Sequence, residues 1–263
     1  MRGEVTGRDG GQPTVTAASL AEPGTAIRAA IDAIFDPLAL IAVAFAAERR
    51  TCRAAGDELT PDRLSVLRDT IWLQLSRLPA ADGAGIVAAP GVVAGKERHL
   101  EWWQRTGASE GNPEDYARIR LNLDPESVDL YDYLEMDWFT VPRREGRRYV
   151  YGPYIDFSGA DRYVLTLTIP VIDDREFLGV AGADMRMSHL EPELLAILRS
   201  VPAPAALVTG ERRVVAANSP RWIAGTRLPR LPAPGDGEFA AVTEIGADSG
   251  WLLAAAADPT SPR

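Results

Sequence analysis

Residues 130–188 read LYDYLEMDWFTVPRREGRRYVYGPYIDFSGADRYVLTLTIPVIDDREFLGVAGADMRMS, and this stretch decides the fold. Apolar and polar side chains alternate over residues 162–171, which is typical of a half-buried antiparallel strand. Residues 177–183 are more uniformly apolar and end on Asp184, after the polar turn 173–176. The two segments therefore predict a β-hairpin, preceded by a dense cluster of aromatic and acidic residues.

The chain on the N-terminal side of this stretch is predicted to be mostly helical. Residues 1–22 are polar and Gly-rich, and we expect a disordered tail there. Residues 23–58 carry apolar side chains at helical spacing, and Pro37 is expected to kink or split that helix. Two interpretations of the helix stay open: it forms a dimer seam, or it covers the sheet. Thr60 is expected to cap a second helix.

The remaining segments complete an α+β pattern. Residues 86–89 form a predicted strand, and of the adjacent Trp102 and Trp103 either one reaches a pocket or both pack in the core. Residues 106–128 are a long polar connection, either a functional lid or disordered. The predicted domains are a ligand-binding domain over residues 59–200 and a small lobe with two strand pairs over residues 201–263.

Composition excludes several classes of function. The chain has 263 residues and a formal net charge of −9, which argues against nucleic acid or an anionic membrane as the main partner. The basic run of Arg143, Arg144, Arg147 and Arg148 is interpreted as a solvated hairpin tip. The single cysteine and two distant histidines predict no disulfide and no metal, and we expect no other cofactor.

The N-terminal segment also predicts a location. It lacks the apolar run of a signal peptide. Residues 27–47 are apolar but are interrupted by Arg28, Asp32, Asp36 and Pro37, which makes them a poor membrane span. The sequence alone therefore predicts a cytoplasmic protein.

The central stretch resembles the Cache family of small-molecule sensor domains, which have a PAS-like fold. The resemblance rests on Trp138 with Phe139, PYID at 153–156, TLTIPV at 166–171 and FLGVAGAD at 177–184. It implies a long N-terminal helix followed by PAS-like antiparallel sheets with flanking helices. The segment 205–256 resembles a reduced second lobe, as in double-Cache sensors.

The resemblance also implies a binding site. Five residues stand in places that match the family's ligand-binding pattern, namely Tyr131, Trp138, Phe139, Tyr154 and Asp184. Two places depart from it, because Met136 replaces an arginine that would pair with a ligand carboxylate and Val141 replaces an aspartate. The remaining residues form an aromatic and acidic set that suits a cation. Besides the matching residues, this set includes Tyr133, Asp156 and the nearby Glu135 and Asp137.

Each of these residues also has a structural alternative. Asp184 could bond backbone N–H groups at the start of the next helix, and Tyr154 could pack in the core. We expect a non-catalytic sensor that binds an amine, an amino acid or a related metabolite and signals through a partner protein. The alternatives are an enzyme that uses the pocket carboxylates and a dimeric scaffold without a ligand.

Overall fold

The predicted hairpin lies near the middle of the larger of two sheets. The structure is a computed structural model that describes residues 15–106, 116–156, 162–246 and 249–257. The hairpin strands are β5 (Arg162–Asp173) and β6 (Glu176–Arg186). They pair from Val164 opposite Arg186 to Asp173 opposite Glu176. Asp174 and Arg175 make the turn at φ values of 47° and 68°, the left-handed geometry that a twisted two-residue hairpin requires.

Four further strands extend this sheet on both sides. They are β1 (Ala81–Ala88), β2 (His99–Arg105), β3 (Tyr116–Arg118) and β4 (Tyr149–Asp156). The order is β3-β2-β1-β6-β5-β4, and each neighbouring pair is antiparallel. β4 continues through an irregularity between Tyr151 and Tyr154, where the sequence predicted the strand to stop at Gly152 and Pro153. The strand thereby carries Tyr154 and Asp156 alongside β5.

A 35-residue helix, α1 (Ala21–Ala55), covers one face of the sheet and packs on β1, β5 and β6. Its buried stripe includes Ile27, Leu38 and Phe45. Pro37 lies inside the helix without splitting it, because burial on both sides of the proline offsets the lost hydrogen bond. A 3₁₀ turn at Ala17–Leu20 precedes α1, so the prediction of disorder up to residue 22 is wrong for residues 17–22.

The stretch Ala17–Ala55 is long and apolar enough to cross a membrane by length and composition. This corrects the prediction that its charged residues and Pro37 make it a poor span. Half of its most apolar segment is buried inside the protein. A helix that packs on a sheet can have the same apolar composition as a membrane span. The predicted cytoplasmic location has no support from this helix.

The shorter helices position the loops around the sheet. They are α2 (Pro61–Leu64), α3 (Arg68–Ser76), α4 (Asp137–Glu145) and α5 (Met187–Leu198). The Thr60 hydroxyl accepts a hydrogen bond from the Arg63 N–H at 3.3 Å, which confirms the predicted cap. Arg143 and Arg144 lie in the last turn of α4, so the predicted hairpin tip is wrong, and Gly146 ends the helix at φ 64°. Pro142 is tolerated near its end.

A second, four-stranded sheet follows α5. Its strands are β7 (Ala205–Val208), β8 (Val214–Ala217), β9 (Phe239–Glu244) and β10 (Leu252–Ala256), in the order β8-β7-β10-β9. It has a core of its own in which Trp222 and Phe239 stack at 5.4 Å. Tyr149 on β4 donates a hydrogen bond to Glu211 at 3.2 Å and joins the two lobes. The predicted α+β fold with PAS-like antiparallel sheets is confirmed, and the domain boundaries stay a prediction.

Candidate functional site

The candidate site is a cavity on the face of the large sheet that carries Asp184, and we call it the Asp184 cavity. Its free volume is about 30 Å³. Its lining comprises the polar residues Tyr131, Tyr154, Asp156, Thr166 and Asp184 and the apolar residues Val87, Leu100, Trp102, Ile119, Leu121 and Trp138. The cavity thus combines two carboxylates with aromatic and aliphatic walls.

A chain of hydrogen bonds crosses the floor of the cavity. Thr166 and Asp184 are register partners on β5 and β6, and the Thr166 hydroxyl donates to Asp184 Oδ1 at 2.6 Å. The Tyr154 hydroxyl lies 2.9 Å from the Thr166 oxygen, and it donates because Thr166 uses its own proton on Asp184. Asp184 is half-buried, and no hydrogen bond from the described residues reaches its Oδ2 atom. That oxygen is available to a ligand.

Glycines in the neighbouring strands make room for the aromatic wall. Gly83 on β1 is the register partner of Asp184, and a Cβ there would lie 2.7 Å from Trp102 Nε1. A Cβ at Gly182 would lie 3.4 Å from the far edge of the same indole, which is an ordinary contact distance. Because Gly83 has no side chain, Trp102 lies close against the sheet and closes one side of the cavity.

Trp138 forms another wall and is held from behind. Its ring stacks on Tyr133 at 6.3 Å and meets Phe139 edge-on at 6.2 Å. The Tyr133 hydroxyl donates to the Ala88 carbonyl at 2.8 Å and accepts from the His99 N–H at 3.1 Å. Burial raises the pKa of Tyr133 to about 12, so the phenol stays protonated and can donate. Tyr133 and Phe139 therefore fix the position of Trp138.

The electrostatics of the cavity disfavour negative charge. Removal from water raises the pKa of Asp184 to about 7, against the lowering effect of the Thr166 hydrogen bond, and the nearby Asp156 and Asp82 add to the rise. Burial, followed by the Asp184 charge, also raises the pKa values of Tyr131 and Tyr154. Among the described residues, no arginine, lysine or histidine lines the cavity. A positive ligand would relieve this imbalance.

The structure brings together five of the predicted site residues: Tyr131, Trp138, Tyr154, Asp156 and Asp184. Tyr133 and Phe139 are buried behind the wall and do not line the cavity. Met136, Glu135 and Asp137 are exposed at the start of α4, and Val141 is buried within it. In the described part of the chain, no cluster of histidine, cysteine and acidic residues could hold a metal ion.

Sequence reasoning missed part of the lining. Thr166 lies on the strand face shared by Val164 and Thr168, and a hydroxyl on that alternating pattern was the available signal. Trp102 lines the cavity, so the alternative in which both tryptophans only pack in the core is wrong; Trp103 packs edge-on against Trp72 at 5.0 Å and also borders a groove at the sheet edge. Ile119 and Leu121 come from the connection that was predicted as a lid or disorder, of which residues 107–115 lie outside the described residues.

Comparison with known proteins identifies the domain. Residues 70–192 match the family model described as the methyl-accepting chemotaxis protein-like, first PDC sensor domain. Over these residues the chain is similar to a PDC sensor domain. This confirms the predicted Cache-like, PAS-like sensor, and this region carries Tyr131, Trp138, Tyr154 and Asp184 of the cavity. No curated protein shows significant sequence similarity to the chain.

Solved structures share the fold of this chain over both of its lobes. The sensory domain of the Campylobacter jejuni chemoreceptor Tlp3, with isoleucine bound, aligns with a TM-score of 0.59 and 12% identity over 93% of this chain and 91% of its own. The ligand-binding domain of the Pseudomonas aeruginosa amino acid chemoreceptor PctC, in complex with GABA, aligns with a TM-score of 0.55 and 17% identity over 92% and 99%. At these identities the likeness establishes the fold alone.

Proposed function

We propose that the Asp184 cavity binds the ammonium group of a small amine and that the domain is a non-catalytic sensor. The observation that carries this is the Asp184 carboxylate, which lies in an aromatic cavity lined by no basic side chain among the described residues. A bound ammonium group would pair with Asp184 and supply the counter-charge that the described lining residues do not provide. The faces of Tyr131, Trp138 and Tyr154 would add about 0.5–2 kcal/mol for each well-placed cation–π contact.

The same geometry disfavours an α-amino acid held by both of its charges. Its carboxylate would sit close to the ammonium group and therefore close to Asp184 and Asp156, which repel it. Met136, at the place where the family pattern has a carboxylate-binding arginine, is exposed and lies outside the lining. We therefore favour an amine over the amino acids seen with Tlp3.

Thermal unfolding in the presence of matched ligands tests the proposal. We expect an alkylamine to stabilise the protein, whereas the carboxylate and the alcohol of the same chain length do not. A ligand at 100 times its Kd adds about 2.7 kcal/mol to the free energy of unfolding. Stabilisation by the carboxylate rather than the amine would refute the proposal. Conversion of the amine, followed by mass spectrometry, would favour an enzyme instead.

Two variants place the site. Asp184→Asn removes the charge at nearly constant size and should abolish the shift produced by the amine. Asp174→Asn is the matched control, because Asp174 is 79% exposed in the β5–β6 turn and far from the lining. Asparagine also tolerates the left-handed φ of 47° at that position.

The output of the sensor is a separate part of the proposal. We infer that signalling passes to a partner protein and that two copies associate through α1. The outward face of α1 carries Ala29, Ala33, Leu40 and Val43, with Asp36 as the charge among them. Leu40 is 47% and Val43 61% exposed, and a stripe of this kind is the surface that a second helix would cover.

A further inference from the structure

An open groove lies beside the Asp184 cavity, at the edge of the sheet formed by β2 and β3. We call it the Arg120 groove. It shares three side chains with the cavity, namely Leu100, Ile119 and Leu121, and it adds Arg118 and Arg120. These three aliphatic side chains therefore border both spaces. A ligand that displaces this wall would reach from one space into the other.

The groove is locally basic in an acidic protein. Arg118 is committed to the fold, because its guanidinium lies 2.9 Å from the carboxylate of Glu101, which is 1% exposed, and donates to the Leu100 carbonyl at 3.2 Å. Arg120 is exposed and has no ion pair or side-chain hydrogen bond with the described residues. His99 also lines the groove, and burial, helped by the Arg118 charge, lowers its pKa to about 4. Arg120 is therefore the cation that the groove can offer to an anion.

The cavity itself cannot accept an acidic group. Asp156 and Asp184 line it without a basic residue among the described ones, so a ligand carboxylate would face two acids. Its free space of about 30 Å³ suits an ammonium group with little else attached. The rest of a longer ligand has to extend out of the cavity. It could do so past the aliphatic side chains that also border the Arg120 groove.

We propose that the Arg120 groove is an outer subsite of the same binding site and takes the carboxylate of an amine ligand. This rests on the proposed binding of ammonium at Asp184. The ligand class is then a zwitterion whose ammonium and carboxylate groups are separated by an apolar spacer. Leu100, Ile119 and Leu121 contact the spacer, and Arg120 binds the carboxylate through its guanidinium fork.

Binding of a length series tests this subsite. Unbranched ω-amino carboxylates of increasing length are each compared with the alkylamine of the same number of heavy atoms, by calorimetry at low salt. Because Arg120 is exposed and solvent screens its pairing with a carboxylate, we expect the best ω-amino carboxylate to bind about threefold to fivefold more tightly than its alkylamine. Short members, including α-amino acids, should show no such advantage.

Two arginine variants assign the effect. Arg120→Gln should remove the advantage of the ω-amino carboxylate and leave the affinity for the alkylamine unchanged. Arg199→Gln is the control, because Arg199 is an exposed arginine just beyond the end of α5 and does not line the groove. Arg118 is unsuitable, since its loss would leave the buried Glu101 carboxylate unpaired.

The outcomes separate this inference from the proposed function. If alkylamines bind but gain nothing from an added carboxylate, the outer subsite is refuted and the ammonium site stands. An advantage that survives Arg120→Gln would equally overturn the assignment of the groove. If no amine binds while Asp184→Asn leaves the fold intact, the proposed function itself fails.

Discussion

Asp184 is the central residue of the proposed binding site. It is half-buried, accepts one strong hydrogen bond from Thr166, and faces aromatic rings with its other oxygen unpaired by the described residues. Such a carboxylate costs stability when it ionises without a counter-charge. A ligand cation removes that cost, so binding and ionisation of Asp184 are coupled.

Asp184→Asn should change the pH dependence of stability. The pKa of Asp184 is about 7 in the folded protein against its ordinary value of 3.8, so the folded state holds the proton more tightly than the unfolded state. The wild type therefore loses stability as the pH rises from about 4 to 7, whereas the variant lacks this component. Urea unfolding across this range measures the difference. If the stability of the wild type relative to the variant increased with rising pH, the predicted direction of the effect would be wrong.

Binding of an amine should release a proton below pH 7. Because the ammonium group requires ionised Asp184, its affinity should rise with pH up to about 7 and then level off. Calorimetry in two buffers of different ionisation enthalpy counts the protons released. An affinity that is independent of pH between about 5 and 8 would show that Asp184 is not the partner of the amine.

Thr166 lowers the pKa of Asp184 through its hydrogen bond of 2.6 Å, against the larger rise that burial causes. Thr166→Val removes this donor, and we expect the pKa of Asp184 to rise further and the pH midpoint of amine binding to move upward. Thr166→Ser retains the hydroxyl and should restore the wild-type midpoint. A loss of affinity in Thr166→Val without any shift of the midpoint would point to packing alone.

At the scale of the element, the strands around the cavity pack closely because glycines leave room between their backbones. β1 lies between β2 and β6, and Gly85 packs so close to β2 that a Cβ would lie 2.1 Å from the Glu101 carbonyl oxygen. Propensity would disfavour glycine in a strand interior. Here the close approach of the β1 and β2 backbones requires it.

Gly85→Ala should therefore destabilise the fold. Relief of the contact requires β1 and β2 to separate, and we expect a loss of about 1–3 kcal/mol in the free energy of unfolding. Gly210→Ala is the control, because a Cβ there would lie 3.4 Å from its nearest neighbour, the Gly250 carbonyl oxygen. Equal stability of the two variants, measured by urea unfolding, would contradict the role assigned to Gly85.

At the scale of the whole molecule, the proposal is that two copies associate through α1. Val43→Glu places a charge on the exposed face and should convert the proposed dimer to a monomer, as measured by light scattering after gel filtration. Val66→Glu is the matched control, since Val66 is 58% exposed at a different surface and Val43 is 61% exposed. A wild-type protein that is monomeric at high concentration would refute association through α1.

Local periodicity made much of the architecture predictable. Apolar residues spaced three and four apart predicted α1, and the alternation of apolar and polar residues over 162–171 predicted the central hairpin. Short apolar runs flanked by turn residues predicted the strands of the second sheet. Pro37 and Pro142 both lie inside helices, and Pro37 does not split α1, because burial of the surrounding apolar residues outweighs one missing hydrogen bond.

The sequence by itself determined the sensor fold, the hairpin that ends on Asp184, and an acidic and aromatic composition suited to a cation. Only the tertiary structure decided which of those residues meet. Thr166 reaches Asp184 through strand register, Trp102 reaches the cavity because Gly83 lacks a side chain, and Tyr133 stays behind Trp138. These contacts join strands distant in sequence, and local patterns carry no information about register or close approach between them.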